Sequence, residues 1–299
     1  MIWCSGWRLA SAVSNAGGLG IIGAGSMYPE VLDEHISKCR LATTKPFGIN
    51  VPLIYPDVEQ LFALIIRHGI RIVVTSAGNP AKWTSYLRQH GIIVVHVVAN
   101  TKSAIKCEQA GVDAIVAEGF EAGGHNGKEE TTTMALIPLI RRATRLPLIA
   151  AGGIATGRQM LAAMALGAEG VQIGSRFVAS EESSAHPAFK QKIVEAGEGD
   201  TQLTLKKLMP VRLMKNGFFE QVQQFENRGA TEGELQALLG RARAKAGMFE
   251  GNTEEGELEI GQVAALIEGI KPAAVIIREI VAEFNDAVKE ISHMTLPQG

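Results

Sequence analysis

The stretch PLIAAGGIATGRQMLAAMALGAEGVQIGSRFV (147–178) holds one complete structural unit and the start of the next. An apolar run, PLIAA, is delivered onto two glycines. GRQMLAAMALG then reads as a helix that opens near Thr156 and closes at Gly167, where glycine accepts the left-handed backbone of a helix end. GVQIGS (170–175) begins the pattern again, with an apolar run that ends on a glycine. Strand, glycine turn, helix and strand in this order form a βα repeat.

The same pattern extends toward the N-terminus. Short apolar runs recur at LGIIGA (19–24), FGINV (47–51), IVVTSA (72–77), IVVHVV (93–98) and AIVAEG (114–119). They are continuous rather than alternating, which is the signature of parallel strands covered on both faces. Helical patterns separate them: PEVLDEHISKCR carries Pro29 at its first position, and VEQLFALIIRHG has apolar residues at helical spacing. Gly69, Gly91 and Gly111 close helical stretches as Gly167 does, so His68 and His90 sit beside helix C-termini, where a partial positive charge is favourable. Seven evenly spaced strands favour closure over an open sheet. The predicted fold class is therefore α/β, a TIM (β/α)8 barrel.

After Phe189 the pattern changes. Residues 190–250 contain no convincing strand; TLKKLMPVRLMKNGFFEQVQQF and TEGELQALLGRARAKAG read as helices with charged faces. An acidic loop (250–259) leads to GQVAALIEGI and AAVIIREIVAEFNDAVKEI, two amphipathic helices of the outer layer. The expected organisation is a barrel over 1–190, a helical cap over 191–250, and C-terminal helices over 251–299 that return to the barrel.

Charge and composition narrow the class. With 29 basic and 31 acidic side chains the net charge is −2, which gives no reason to expect nucleic acid or an anionic membrane as partner. No apolar run approaches the ~20 residues that span a bilayer. The opening MIWCSGWRLASAV lacks the charged and long apolar regions of a signal peptide, and Cys4, Cys39 and Cys107 have no CxxC spacing. A bacterial cytoplasmic protein with reduced thiols is expected. Cys39 and Cys107 lie on apolar helical faces and read as core.

Two glycine-rich features carry chemistry. GLGIIG (18–23) fits GxGxxG, but its glycines precede and enter a strand instead of linking a strand to a helix, so it is not a dinucleotide site. AAGGIATGR (150–158) and QIGSR (172–176) both place glycines just after a strand. Convergence of Gly152, Gly153, Gly174 and Ser175 would make one phosphate site from two consecutive loops. EGFEAGGHNGK (118–128) packs four glycines around His125 at the C-terminal end of a strand, where barrel chemistry occurs. Histidine can exchange a proton near neutrality, and His125 is the candidate general acid or base. Asn50, beside Pro52 at the same face, reads equally as a ligand contact or a turn residue. Trp3 and Trp7 read as packing residues, and no His, Cys and carboxylate cluster has metal-ligand spacing.

SNAGGLGIIGAG (14–25), KPFGINVPL (45–53), EGFEAGGHNGK, PLIAAGGIATGR and EGVQIGSRFV (169–178) together resemble, in order, the flavin-dependent enoyl-acyl carrier protein reductases II and their relatives the nitronate monooxygenases. TSAGNP (75–80), TTTMAL (131–136), SAHP (184–187) and EEGELEIGQVAAL (254–266) point to the reductase subgroup. The resemblance implies FMN at the C-terminal ends of the barrel strands, a smaller second domain and a homodimer. It places Asn50, Glu118, Gly123, Gly153 and Gln172 at flavin contacts and Gly152, Gly174 and Ser175 at the FMN phosphate. It makes His125 the catalytic histidine. It further implies NADH or NADPH as hydride donor, and an acyl carrier protein as partner bearing an enoyl thioester. Candidates for carrier docking are Lys206, Lys207, Arg212 and Lys215, and also Arg241, Arg243 and Lys245; the same charges read equally as a solvated helix face.

The sequence departs from the family at its start. Members begin with a strand that ends in Gly-Gly-Met, its methionine beside the flavin, and Met1 falls at that methionine. The first strand is then missing from the expected barrel, which implies either a start further upstream or a shortened form with an exposed sheet edge. The alternative activity is oxidation of alkyl nitronates with O2. A nucleotide dehydrogenase of the IMP type would need a cysteine nucleophile, and residues 118–146 and 176–250 contain none.

Overall fold

All seven apolar runs become strands. The computed structural model describes residues 1–293. Its main sheet joins Gly20–Gly23 (β1), Phe47–Pro52 (β2), Ile72–Ser76 (β3), Ile93–Val98 (β4), Ala114–Glu118 (β5), Leu148–Ala151 (β7) and Gly170–Gln172 (β8). Every pairing is parallel and follows chain order, with β1 and β8 at the two ends of a sheet curled as in a TIM barrel.

The register explains the unbroken apolar runs. Ile22, Ile49, Val73 and Val94 lie on successive strands and are fully buried under the outer helices. Their neighbours Val74, Val95 and Val116, with Ala151, point the other way and pack together inside the curl. Both faces of each strand are thus apolar. The glycines of GLGIIG serve this packing: a Cβ on Gly20 would lie 1.8 Å from the Ala10 carbonyl oxygen of the helix Trp7–Asn15.

Two further segments depart from expectation. Within 190–250, Thr201–Thr204 (β9) and Val211–Met214 (β10) are strands, antiparallel to each other and joined by Gly124–His125 (β6) in a second sheet of order β6-β10-β9. The helical reading failed because Val211, Arg212, Leu213 and Met214 are all buried, so no alternation marks the strand, and because Leu205 makes the turn in left-handed conformation (φ 54°). Helices Gly217–Asn227 and Glu232–Leu239 follow as expected and cover this sheet with Phe218, Phe219, Val222 and Leu235. GQVAALIEGI forms only a 3-10 turn over Gln262–Leu266, whereas Ala273–Ile291 is a full helix. Residues 294–299 of the expected C-terminal unit lie outside the described residues.

Candidate active site

The C-terminal ends of β5, β7 and β8 share one rung, on which Glu118, Ala151 and Gln172 are register partners. Behind that rung the chain makes two glycine turns. Gly152 and Gly153 take φ of 86° and 70°, a conformation that favours glycine. A Cβ on Gly152 would come 2.6 Å from the Gly119 carbonyl oxygen. The helix Gly157–Ala165 then begins at Thr156, as the sequence predicted, and Thr156 caps it with a full capping box. After β8, Gly174 leads into the short helix Ser175–Val178, and the Ser175 hydroxyl accepts a hydrogen bond from the Gly261 N–H at 2.9 Å.

The loop after β5 is tied down at several points. Glu121 accepts from the Thr133 N–H at 3.0 Å and from its hydroxyl at 3.1 Å, and the Thr133 hydroxyl also reaches the Gly152 carbonyl at 2.9 Å. Gln262 donates its N–H to the Glu121 carbonyl. Arg212, only 2 % exposed, donates from Nε and Nη2 to the Phe120 carbonyl at 3.0 and 2.9 Å and stacks on the Phe120 ring. Arg212 is therefore a structural clamp and is unavailable for docking a carrier protein. Arg243 is likewise engaged, with the carbonyls of Leu238, Leu239 and Glu255.

These loops line an open cleft. Met1, Glu118, Gly123, Gly152, Gly153, Gln172, Gly174 and Ser175 all line it, together with Glu121 and Glu259. Met1 lies between the ends of the two outer strands: its carbonyl oxygen faces Gly23, and its sulfur would be 3.5 Å from a Cβ on Gly174. Asn50 and His125 are not part of this lining. Asn50 donates instead to the Val74 carbonyl at 2.9 Å and the Ser76 hydroxyl at 3.2 Å, binding β2 to β3. His125 is exposed on β6 and lines a separate cavity, with Leu205, Leu208, Met209, Val211, Glu232, Gln236, Leu239 and Glu257.

Sequence reasoning missed the carboxylates that stand between the two cavities. Glu257 and Glu259 lie two residues apart on an extended segment, where Glu259 bridges Leu213 of β10. Glu259 faces the first cleft and Glu257 the second. Burial raises both carboxyls, and the neighbouring Glu259 charge adds to the rise at Glu257, which is pushed to about 8; His125 pulls Glu259 the opposite way. Burial also pushes Glu118 up to about 7. The available signal was ELE itself, two carboxylates alternating in an apolar run. All three cysteines are buried, and burial raises their thiols, Cys4 to about 12, so none is a nucleophile. Three further histidines are structural: His96 is buried against the Thr75 hydroxyl, His186 caps a helix, and His35 accepts from the Trp7 N–H. Among the described residues no group of His, Cys, Asp and Glu could hold a metal, and no helix is long and apolar enough to cross a membrane.

The sequence matches the profile of the nitronate monooxygenase family over residues 1–283. The chain belongs to that family. Family members are FMN-dependent oxidoreductases, and the first cleft fits that cofactor. Its lining includes the backbone of Gly123, Gly152, Gly153 and Gly174, and a Cβ at Gly123 or Gly152 would come within 2.6 Å of neighbouring backbone, so these close turns require glycine. The N–H groups of Gly153, Gly174 and Ser175 find no protein acceptor among the described residues. Such N–H groups beside open space suit a phosphate. Within and beyond the family, FabK from Thermotoga maritima is 43 % identical, with a TM-score of 0.93 over 98 % of this chain and 93 % of its own. A probable nitronate monooxygenase of Bacillus subtilis is 34 % identical, covering 88 % of each chain. A Mycobacterium tuberculosis protein named as an octahydro-indene-carboxyl-CoA dehydrogenase is 31 % identical over 95 % of this chain and 90 % of its own.

Proposed function

We propose that this family member is an enoyl-acyl carrier protein reductase, which saturates the 2,3-double bond of an enoyl thioester with NADH or NADPH in the elongation cycle of fatty acid synthesis. The observation that carries the reading is the full-length likeness to FabK, at higher identity than the likeness to either named relative. Gly152, Gly153, Gly174 and Ser175 hold the FMN phosphate, while Met1, Glu118, Gly123 and Gln172 line the flavin space and Asn50 supports it from β2. FMN supplies the two-electron transfer between nicotinamide and substrate that protein side chains lack. NAD(P)H, one proton and the enoyl thioester become NAD(P)+ and the saturated thioester. Charge that develops on the thioester oxygen is met by His125, which donates a hydrogen bond there or the proton that completes the α-carbon. Docking of the acidic carrier falls to Lys215 and Arg241, with Lys206, Lys207 and Lys245, whose pairings with Glu130, the Ala230 carbonyl and Glu250 would give way to it. The working unit is a cytoplasmic homodimer.

The family profile and the Bacillus relative favour a second reading, oxidation of alkyl nitronates by O2 without nicotinamide. Anaerobic oxidation of NADH and NADPH with crotonyl thioester separates the two. Rapid oxidation supports the reductase, with a fall of roughly 10²–10⁴-fold in His125→Ala. Oxygen uptake with propionate-3-nitronate and no oxidation of NAD(P)H overturns it. A KM for the carrier-bound substrate that is unchanged in K206E/K207E removes the docking assignment.

A further inference from the structure

His125 has no side chain to hold it. Its imidazole makes no hydrogen bond or ion pair with any of the described residues, and it stands exposed on a strand of two residues, Gly124–His125. A histidine that moves a proton is ordinarily oriented by a hydrogen bond at its second ring nitrogen. Here the ring is only as well placed as the backbone beneath it. That backbone is fixed carbonyl by carbonyl. Phe120 accepts from Arg212 and Glu121 from the Gln262 N–H, while Ala122 and Gly124 both accept from one group, the side-chain amide of Asn126, each at 2.9 Å. Asn126 also donates its own N–H to the Pro210 carbonyl at 2.8 Å, one residue ahead of β10.

Asn126 therefore joins three places. Ala122 lines the glycine-lined cleft, Gly124 takes a left-handed conformation (φ 78°) just before the histidine, and β10 is the strand on which His125 pairs with Val211. The arrangement leaves one atom unsatisfied. Asn126 Oδ1 is buried with no hydrogen-bond partner, alone in this among the side-chain nitrogens and oxygens of the described residues. A buried acceptor without a donor is destabilising. The fold bears it because the flipped amide would set Oδ1 against both carbonyls and lose both bonds.

We infer that Asn126 is the positioning residue for His125: its amide clamps the reversal from Ala122 to His125 and so fixes the imidazole relative to the wall of the cleft. This rests on the reading that His125 reacts, and it holds for a thioester and for a nitronate alike.

Turnover, flavin content and Tm are measured for Asn126→Ala, Asn126→Asp, His125→Ala and the double variant, with whichever of crotonyl thioester and propionate-3-nitronate the wild type consumes. Asn126→Ala should keep its flavin and its KM and lose about 10²-fold in kcat, the effect of ~1 Å of misplacement. In the His125→Ala background the same substitution should change kcat by less than about two-fold. A residue that acts through the histidine then has nothing left to position, whereas a merely structural one would lower the rate again. Asn126→Asp keeps the shape and turns an oxygen toward the two carbonyls; ionised it repels them, and protonated it donates to one. Its kcat relative to wild type should therefore rise several-fold as pH falls from about 8 to about 5.5, which serves if Asn126→Ala does not fold. An Asn126→Ala kcat within about two-fold of wild type, equal losses in both backgrounds, or an Asn126→Asp pH profile parallel to that of the wild type overturns the inference while the histidine reading stands. Full turnover in His125→Ala removes the histidine reading itself, and the positioning role with it.

Discussion

The two sheets of this molecule are built on opposite plans. In the seven-stranded sheet each strand pairs with the next along the chain, so every unit of strand, turn and helix states its own place. The three-stranded sheet instead gathers residues 124–125, 201–204 and 211–214, with Glu259 added at its margin. The first sheet supplies a rigid rim of glycine turns. The second carries His125 and closes over that rim. Division of labour follows from this: the glycine-lined cleft rests on local geometry, whereas the placement of His125 rests on pairing between distant parts of the chain.

The largest expected effect separates the two regions outright. Gly152→Val places a branched side chain at φ 86°, with its Cβ 2.6 Å from the Gly119 carbonyl oxygen. The variant should lose about 2–4 kcal/mol of stability and purify without the visible absorption of a flavin. Wild-type flavin content in that variant would break the assignment of the rim to the cofactor.

Arg212→Met tests the tie between the second sheet and the loop after β5. It removes two charged hydrogen bonds to the Phe120 carbonyl, about 1.5–3 kcal/mol on urea denaturation. Bound flavin should stay at the wild-type ratio while turnover falls further than the loss of folded protein explains. Loss of flavin together with turnover would mean that the sheets act as one unit.

The smallest effect is a pH dependence. A carboxyl whose folded pKa lies above its unfolded value costs stability once the unfolded chain ionises. Glu257, raised by burial from 4.5 to about 8, should therefore make the protein less stable as pH rises through that window. Glu257→Gln should flatten the stability profile between these limits, as measured by Tm across the series. An unchanged slope would assign the dependence to Glu118 or Glu259.

The same contrast sets what could be read from residues alone. All seven parallel strands, the helix start near Thr156 and the helix-closing glycines were visible because each is encoded within a few neighbouring positions. The convergence of Gly152, Gly153, Gly174 and Ser175 was visible because two consecutive units repeat it. Strands β9 and β10 were not, since burial on both faces erases alternation and a charged residue, Arg212, sits in the middle of the run. Arg212 looked like surface because only the folded loop supplies the Phe120 carbonyl that accepts from it. Glu257 and Glu259 read as part of an acidic loop, and nothing local indicates that Leu213 pairs beside them. Asn50 was left open between two roles, and the bond it makes depends on β3, a separate unit.

The N–H of Gly157, just beyond the Gly152–Gly153 turn, donates to the Glu283 carboxylate at 2.8 Å, and a Cβ at Gly157 would lie 2.2 Å from the Phe284 nitrogen. The turn is thus braced by the helix Ala273–Ile291, 126 positions further along the chain. During synthesis the glycine turns exist as a sequence long before they exist as a shape. Until residues 283 and 284 have emerged, the turn is present without the buttress that fixes it.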